Sequence, residues 1–240
     1  MQKIFISKSQ LITSIIFYGT NTIFFIYYLQ ELFFNLHLLK YLTCLSYYAN
    51  SIFLLICLIC DISIYKNNNS EDVENNYQLL DDDEDNKNVN KDILWSEQLN
   101  NWNRNKYGII CNTFSFFVTI SFWILYFLGD EYITVSDTFL GFLSTIYLHL
   151  IISILVIIDI AMSKREHSFS WDYFGIISFI FAIYCIMTGI NKYNFKSNTY
   201  AFMDSSFLFL ISYVLLLFFL LYVSYAFNVY LINYKKKKFI

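Results

Sequence analysis

Two short patterns in this chain place polar, chemically capable side chains inside apolar surroundings. Thr43, Tyr47 and Asn50 follow one another at i, i+4 and i+7, which is one face of a helix. Thr145, His149 and Ser153 repeat at i, i+4 and i+8, again one face. Imidazole titrates near neutrality and takes a proton from a hydroxyl, and a threonine hydroxyl needs such a base to become a nucleophile. A Thr43–His149 pair across two helices is therefore one reading, with Tyr47 and Asn50 as candidates to bind substrate or stabilise an oxyanion. An interhelical hydrogen bond from His149 that only strengthens the protein, worth about 0.6–2 kcal/mol, is the other. His149 is the one histidine deep in an apolar segment; His37 and His167 fall in connecting loops.

The elements that position these residues follow from composition. The chain has 240 residues, no proline and six glycines, and is 57% hydrophobic and 15% charged. Ordinary soluble domains are about 45–50% apolar and about 25% charged. So little polar surface cannot cover so much apolar surface, and the composition implies an integral membrane protein. Apolar segments at 10–30, 41–65, 107–128, 138–162, 171–190 and 206–232 each approach the roughly 20 residues that a spanning helix requires. Runs such as Ser51–Cys60 show no period of two, so a β-barrel is disfavoured. The expected fold is all-α, with six transmembrane helices in one bundle: helices 1 and 2 within 1–65, helices 3 to 6 within 107–232, and a basic tail at 233–240.

Residues 66–106 interrupt this pattern. They hold twelve asparagines, the run Asp81-Asp82-Asp83-Glu84-Asp85, and ten acidic against five basic side chains. Low hydrophobicity with clustered charge predicts a disordered acidic cytosolic insertion, able to meet a basic partner, whose end at 93–102 lies on the membrane surface as a short helix. Thirteen lysines and arginines fall on the side that carries both termini, against Lys40, Lys192 and Lys196 on the other, which predicts cytosolic termini. Asp61 and Asp159 then mark the cytosolic ends of their spans. Lys237 and Lys238, third and fourth from the C-terminus, resemble a dilysine retrieval signal of endoplasmic reticulum membrane proteins; a positive cluster that only fixes topology fits as well, and the plasma membrane stays open.

Several chemistries are excluded or disfavoured. No basic face large enough for nucleic acid exists. Neither a nucleotide-binding glycine loop nor a metal-ligand set is present, so no cofactor or metal is expected. All five cysteines sit in apolar segments, and the Cys57/Cys60 pair lacks a second ligand pair for zinc. Zero prolines and no internal repeat weaken a transporter reading.

Four blocks carry a family resemblance. Lys40-Tyr41-Leu42-Thr43, with the apolar run that ends at Asp61, resembles the androgen-induced protein family of six-span membrane proteins. Phe122-Trp123, Tyr126 and Asp130-Glu131 resemble that family's pattern at the end of its third span. Leu148-His149-Leu150 sits where the family places an essential histidine. His167, Tyr184, Gly189 and Tyr200-Ala201-Phe202 follow in order, although Leu39 and Ala201 depart from the family's tryptophan and proline, and the acidic insertion has no counterpart. The resemblance implies a threonine hydrolase of fatty acid esters of hydroxy fatty acids, with Thr43 as nucleophile, His149 as general base and a lipid ester in the bilayer as substrate. A geometric condition accompanies it. If the second helix begins at Tyr41, Thr43 lies near one surface while His149 is about 16 Å into the fourth segment. The pair then requires an earlier helix start near Phe33, or a fourth helix shifted outward with Lys40 snorkelling to the interface.

Overall fold

The structure is a computed structural model that describes residues 6–34, 41–77, 95–128, 145–163, 167–195 and 207–238. Six helices account for nearly all of them, and no strand occurs among the described residues. They are α1 (Lys8–Phe34), α2 (Leu42–Tyr77), α3 (95–128), α4 (145–162), α5 (Trp171–Phe195) and α6 (Phe207–Lys238). Long apolar runs without proline favour this outcome, because a helix satisfies every backbone donor and acceptor within its own segment.

Five helices contain a stretch long and apolar enough to cross a membrane: Lys8–Gln30, Leu42–Lys66, Trp95–Phe127, Trp171–Ile190 and Leu210–Tyr234. Their outward faces carry large apolar side chains, with Ile23 71% and Phe127 79% exposed, as suits helices bathed in lipid. The sixth apolar segment is the shorter Tyr147–Met162; the rest of the expected 138–162 span lies outside the described residues.

Two helices contain a turn of π-helix, Asn103–Tyr107 in α3 and Tyr147–Ile151 in α4. Such turns hold one extra residue and are frequent at functional sites.

The chain divides into two compact units, one of Met1–Tyr28 with Ser51–Gly108, the other of Leu29–Asn50 with Ile109–Ile240. In the first, a charged pair sits among apolar side chains. Arg104 Nη2 lies 3.0 Å from Asp61 Oδ2, and Ser14 Oγ donates to the same oxygen at 2.7 Å. Asp61 is 3% and Arg104 8% exposed. Asn103 beside it donates to the Phe53 carbonyl at 3.1 Å and to Cys57 Sγ at 3.2 Å.

In the second unit, aromatic pairs fill the space around α3. Phe117 meets Phe181 of α5, and Phe116 meets Phe227 of α6, each edge-on at 5.2 Å. Two asparagines tie neighbouring helices to α3: Asn50 of α2 donates to the Cys111 carbonyl at 3.0 Å, and Asn228 of α6 to that of Ile109 at 3.1 Å.

The polar insertion differs from its sequence expectation at both ends. Helix α2 continues past residue 65 to Tyr77, since neither proline nor glycine interrupts it and extending a helix costs far less than starting one. At the other end, 95–106 is no separate surface helix but the first part of α3. Ser96, Glu97, Asn100, Asn103 and Arg104 share one helical face and are buried, while Trp95 and Trp102 point outward. The acidic run Asp81–Asp85, and with it the expectation of disorder, lies outside the described residues.

Candidate functional site

The sequence candidates converge on the second unit, where the start of α2, the middle of α3 and the π turn of α4 meet. Helix α2 begins at Leu42, whose backbone N–H donates to the hydroxyl of Tyr184 at 3.1 Å. Tyr184 lies eleven residues before the end of α5 at Phe195, about 16 Å of helix rise. The first turn of α2 therefore stands beside the middle of α5. Thr43 is the second residue of that turn and is partly buried.

One turn further on, the fully buried Tyr47 packs edge-on against Tyr147 of α4, ring centroids 5.9 Å apart. Tyr147 opens the π turn with His149 at its centre. The imidazole lies flat on Phe122 of α3, centroids 3.6 Å apart and planes inclined by 17°. Its Nδ1 is buried and makes no hydrogen bond. Antiparallel contacts with α3 make α2 and α4 run in the same direction. Thr43 comes four residues before Tyr47 and His149 two after Tyr147, so about 9 Å of helix rise separates their levels. No hydrogen bond joins the two side chains.

Asn50 has a different part from the one its spacing suggested. Its amino group donates to the carbonyls of Ser46, at 2.8 Å, and Cys111, at 3.0 Å. With both hydrogens engaged it fastens α2 to α3 and has none left for an oxyanion. Ser153, one turn beyond His149, joins a cluster of hydroxyls: its Oγ lies 2.8 Å from Ser115 Oγ and 2.7 Å from Thr119 Oγ1.

The two aspartates read as span ends are both inside the protein. Asp61 holds Arg104, as described. Asp159 is fully buried, and its carbonyl closes α4 by accepting from the Ser163 backbone at 2.9 Å and from its hydroxyl at 2.7 Å. The sequence signal for the first was the 96, 97, 100, 103, 104 spacing, an inward polar face hidden within a low-complexity stretch. Between α4 and α5, His167 stands edge-on to Tyr173 with Nε2 3.4 Å from the Tyr225 hydroxyl, and half-burial pushes its pKa below the ordinary histidine value.

Among the described residues, no three His, Cys, Asp or Glu side chains come together to hold a metal ion. None of the five cysteines forms a disulfide. Comparison with known proteins finds no family, no curated protein and no solved structure that matches this chain.

Proposed function

We propose that the protein is a membrane-embedded hydrolase of lipid esters, acting on fatty acid esters of hydroxy fatty acids, with Thr43 as nucleophile and His149 as general base. The observation that carries this reading is the placement of His149. It sits in a π turn, with a buried Nδ1 that makes no hydrogen bond, beside the turns of α2 that bear Thr43. The likeness of the Lys40–Thr43 and Leu148–Leu150 blocks to the androgen-induced protein family supports the same pair. In this reading the chain spans the membrane six times with both termini cytosolic, and the lysine-rich end favours the endoplasmic reticulum.

An apolar ester reaches the site sideways from the bilayer, its acyl chains between helices. His149 takes the Thr43 proton, directly or through one water, and the threonine oxygen attacks the ester carbonyl. The alcohol leaves, and water then hydrolyses the acyl-enzyme with His149 again as base. The roughly 9 Å offset in level means that the pair forms only if substrate binding draws the first turn of α2 and the π turn of α4 together. The Tyr184 hydroxyl holds the first turn of α2 in place, and with it Thr43.

Labelling with a fluorophosphonate probe tests the reading in membranes that express wild type, Thr43→Ala or His149→Ala. Wild type should label, and both variants should fall to background at equal protein level. Equal signal in all three would end the hydrolase reading. A non-catalytic membrane protein (scaffold, regulator or small-solute transporter) is the second reading. The flat stack of His149 on Phe122 favours it, since ring packing alone accounts for that contact.

A further inference from the structure

We infer that the face of α3 bearing Asn112, Ser115 and Thr119, closed by Ser153 of α4, holds water deep in the protein and supplies it to His149. Relative to Asn112, Ser115 and Thr119 lie within about 60° around the helix, so the three form one polar strip. The strip ends one turn short of Phe122, on which His149 stacks. Asn112 is 0% exposed, and neither atom of its amide makes a hydrogen bond with the protein. At the same turn of α3, Oδ1 of Asn50 and Oδ1 of Asn228 are also buried without partners, while their amino groups donate to backbone carbonyls. Unmet donors and acceptors thus accumulate at one level of an otherwise apolar unit.

Each such group costs about 1–3 kcal/mol when buried unpaired. A small molecule that both donates and accepts removes the cost, and buried water makes about three such bonds. Next along the strip come the Ser115, Ser153 and Thr119 hydroxyls, linked at 2.7–2.8 Å, with Ser153 Oγ also 3.2 Å from the Ser115 carbonyl. Each of these hydroxyls can accept from or donate to water, and they continue the polar strip from Asn112 towards the turn that carries Phe122.

The role in hydrolysis rests on the reading above. The second half of that reaction consumes one water. Its oxygen attacks the carbonyl carbon of the acyl–Thr43 ester while His149 takes its proton. The bond to the Thr43 oxygen breaks, that oxygen recovers the proton from His149, and the fatty acid leaves. Acylation consumes no water, so loss of the strip should block the second half and spare the first where the Thr43 proton passes directly to His149.

The test replaces Asn112 by leucine, which keeps the branched shape without the polar atoms, in the full-length protein, and uses two independent readouts. Hydroxyl-radical footprinting by X-ray pulse oxidises buried side chains only where water is held beside them. Phe116 lies one turn along from Asn112 and is 4% exposed. It should oxidise in wild type and at least five-fold less in Asn112→Leu. Fluorophosphonate labelling of the variant should stay within two-fold of wild type, while steady-state turnover of a p-nitrophenyl ester falls at least ten-fold with the burst retained. Ser153→Ala, which leaves no steric clash, should show the same pattern more weakly and covers a leucine variant that fails to fold. Absence of Phe116 oxidation in wild type overturns the water site. Unchanged turnover in both variants overturns its hydrolytic role. A wild type that oxidises at Phe116 but never labels defeats the hydrolase reading and leaves the water site supported.

Discussion

The buried Asp61–Arg104 pair supports a sharp prediction for Arg104→Met. Methionine fills much of the arginine stem's volume but leaves Asp61, 3% exposed, with a carboxylate that retains Ser14 Oγ and loses its counter-charge. Removing one member of a buried pair typically costs about 3–5 kcal/mol. For a chain of this size 1 kcal/mol corresponds to about 2–4 °C, so the midpoint of thermal unfolding should drop by roughly 6–20 °C. Cys57 and Cys60 belong to the same unit and are 0% and 1% exposed. Once Cys44, Cys111 and Cys185 of the other unit are replaced by alanine, a thiol-reactive fluorogenic maleimide in mild detergent reports its opening. The double variant Asp61→Leu/Arg104→Met removes both charges together and should recover most of the loss, because an apolar pair carries no desolvation penalty. A midpoint that moves by less than about 2 °C in Arg104→Met, or a double variant as damaged as the sum of the singles, would refute the reasoning.

Two further outcomes can be read with the same thermal assay. A Cβ added to Gly108 would lie 2.8 Å from Cε2 of the buried Phe53 and 3.2 Å from the Asn103 carbonyl, whereas one on Gly189 would meet nothing within 4 Å. Gly108→Ala should thus lose about 1–3 kcal/mol by overpacking, while Gly189→Ala should gain up to about 1 kcal/mol from helix propensity. His167 has a folded pKa held below the ordinary 6.5 by burial, so the unfolded chain binds more protons as the medium is acidified. Stability should be level above about pH 7.5 and fall as pH drops through about 6.5, and His167→Asn should flatten that slope when midpoints are compared between pH 5.5 and 8.

Much of the helical character was legible because an apolar run of some twenty residues without proline has few alternatives in lipid. Five membrane-length helices follow from that signal. What stayed hidden was hidden for definable reasons. Asn100, Asn103 and Arg104 read as loop because window composition averages an inward polar face with its outward neighbours. Asp61 read as a boundary marker because its partner is 43 residues away, and nothing local announces the pair. Asn50 carried the right signal of an inward polar group but the wrong function, since spacing does not say which hydrogens are already in use. For Thr43 and His149 the sequence placed both residues on inward faces. How the levels of their two helices match depends on contacts between distant parts of the chain, which spacing within one helix does not encode.

The π turn of α4 has a consequence for ancestry. A helix with one surplus residue in a widened turn is the footprint of a single-residue insertion whose flanks kept their phase. Deleting one residue within Tyr147–Ile151 would restore an ordinary helix with both flanks still correctly faced, while a deletion elsewhere in α4 would rotate everything on one side by about 100°. That turn is thus the one place where this segment can gain or lose a residue at little structural cost. A chain shortened there would keep its helical faces and forfeit the setting of His149.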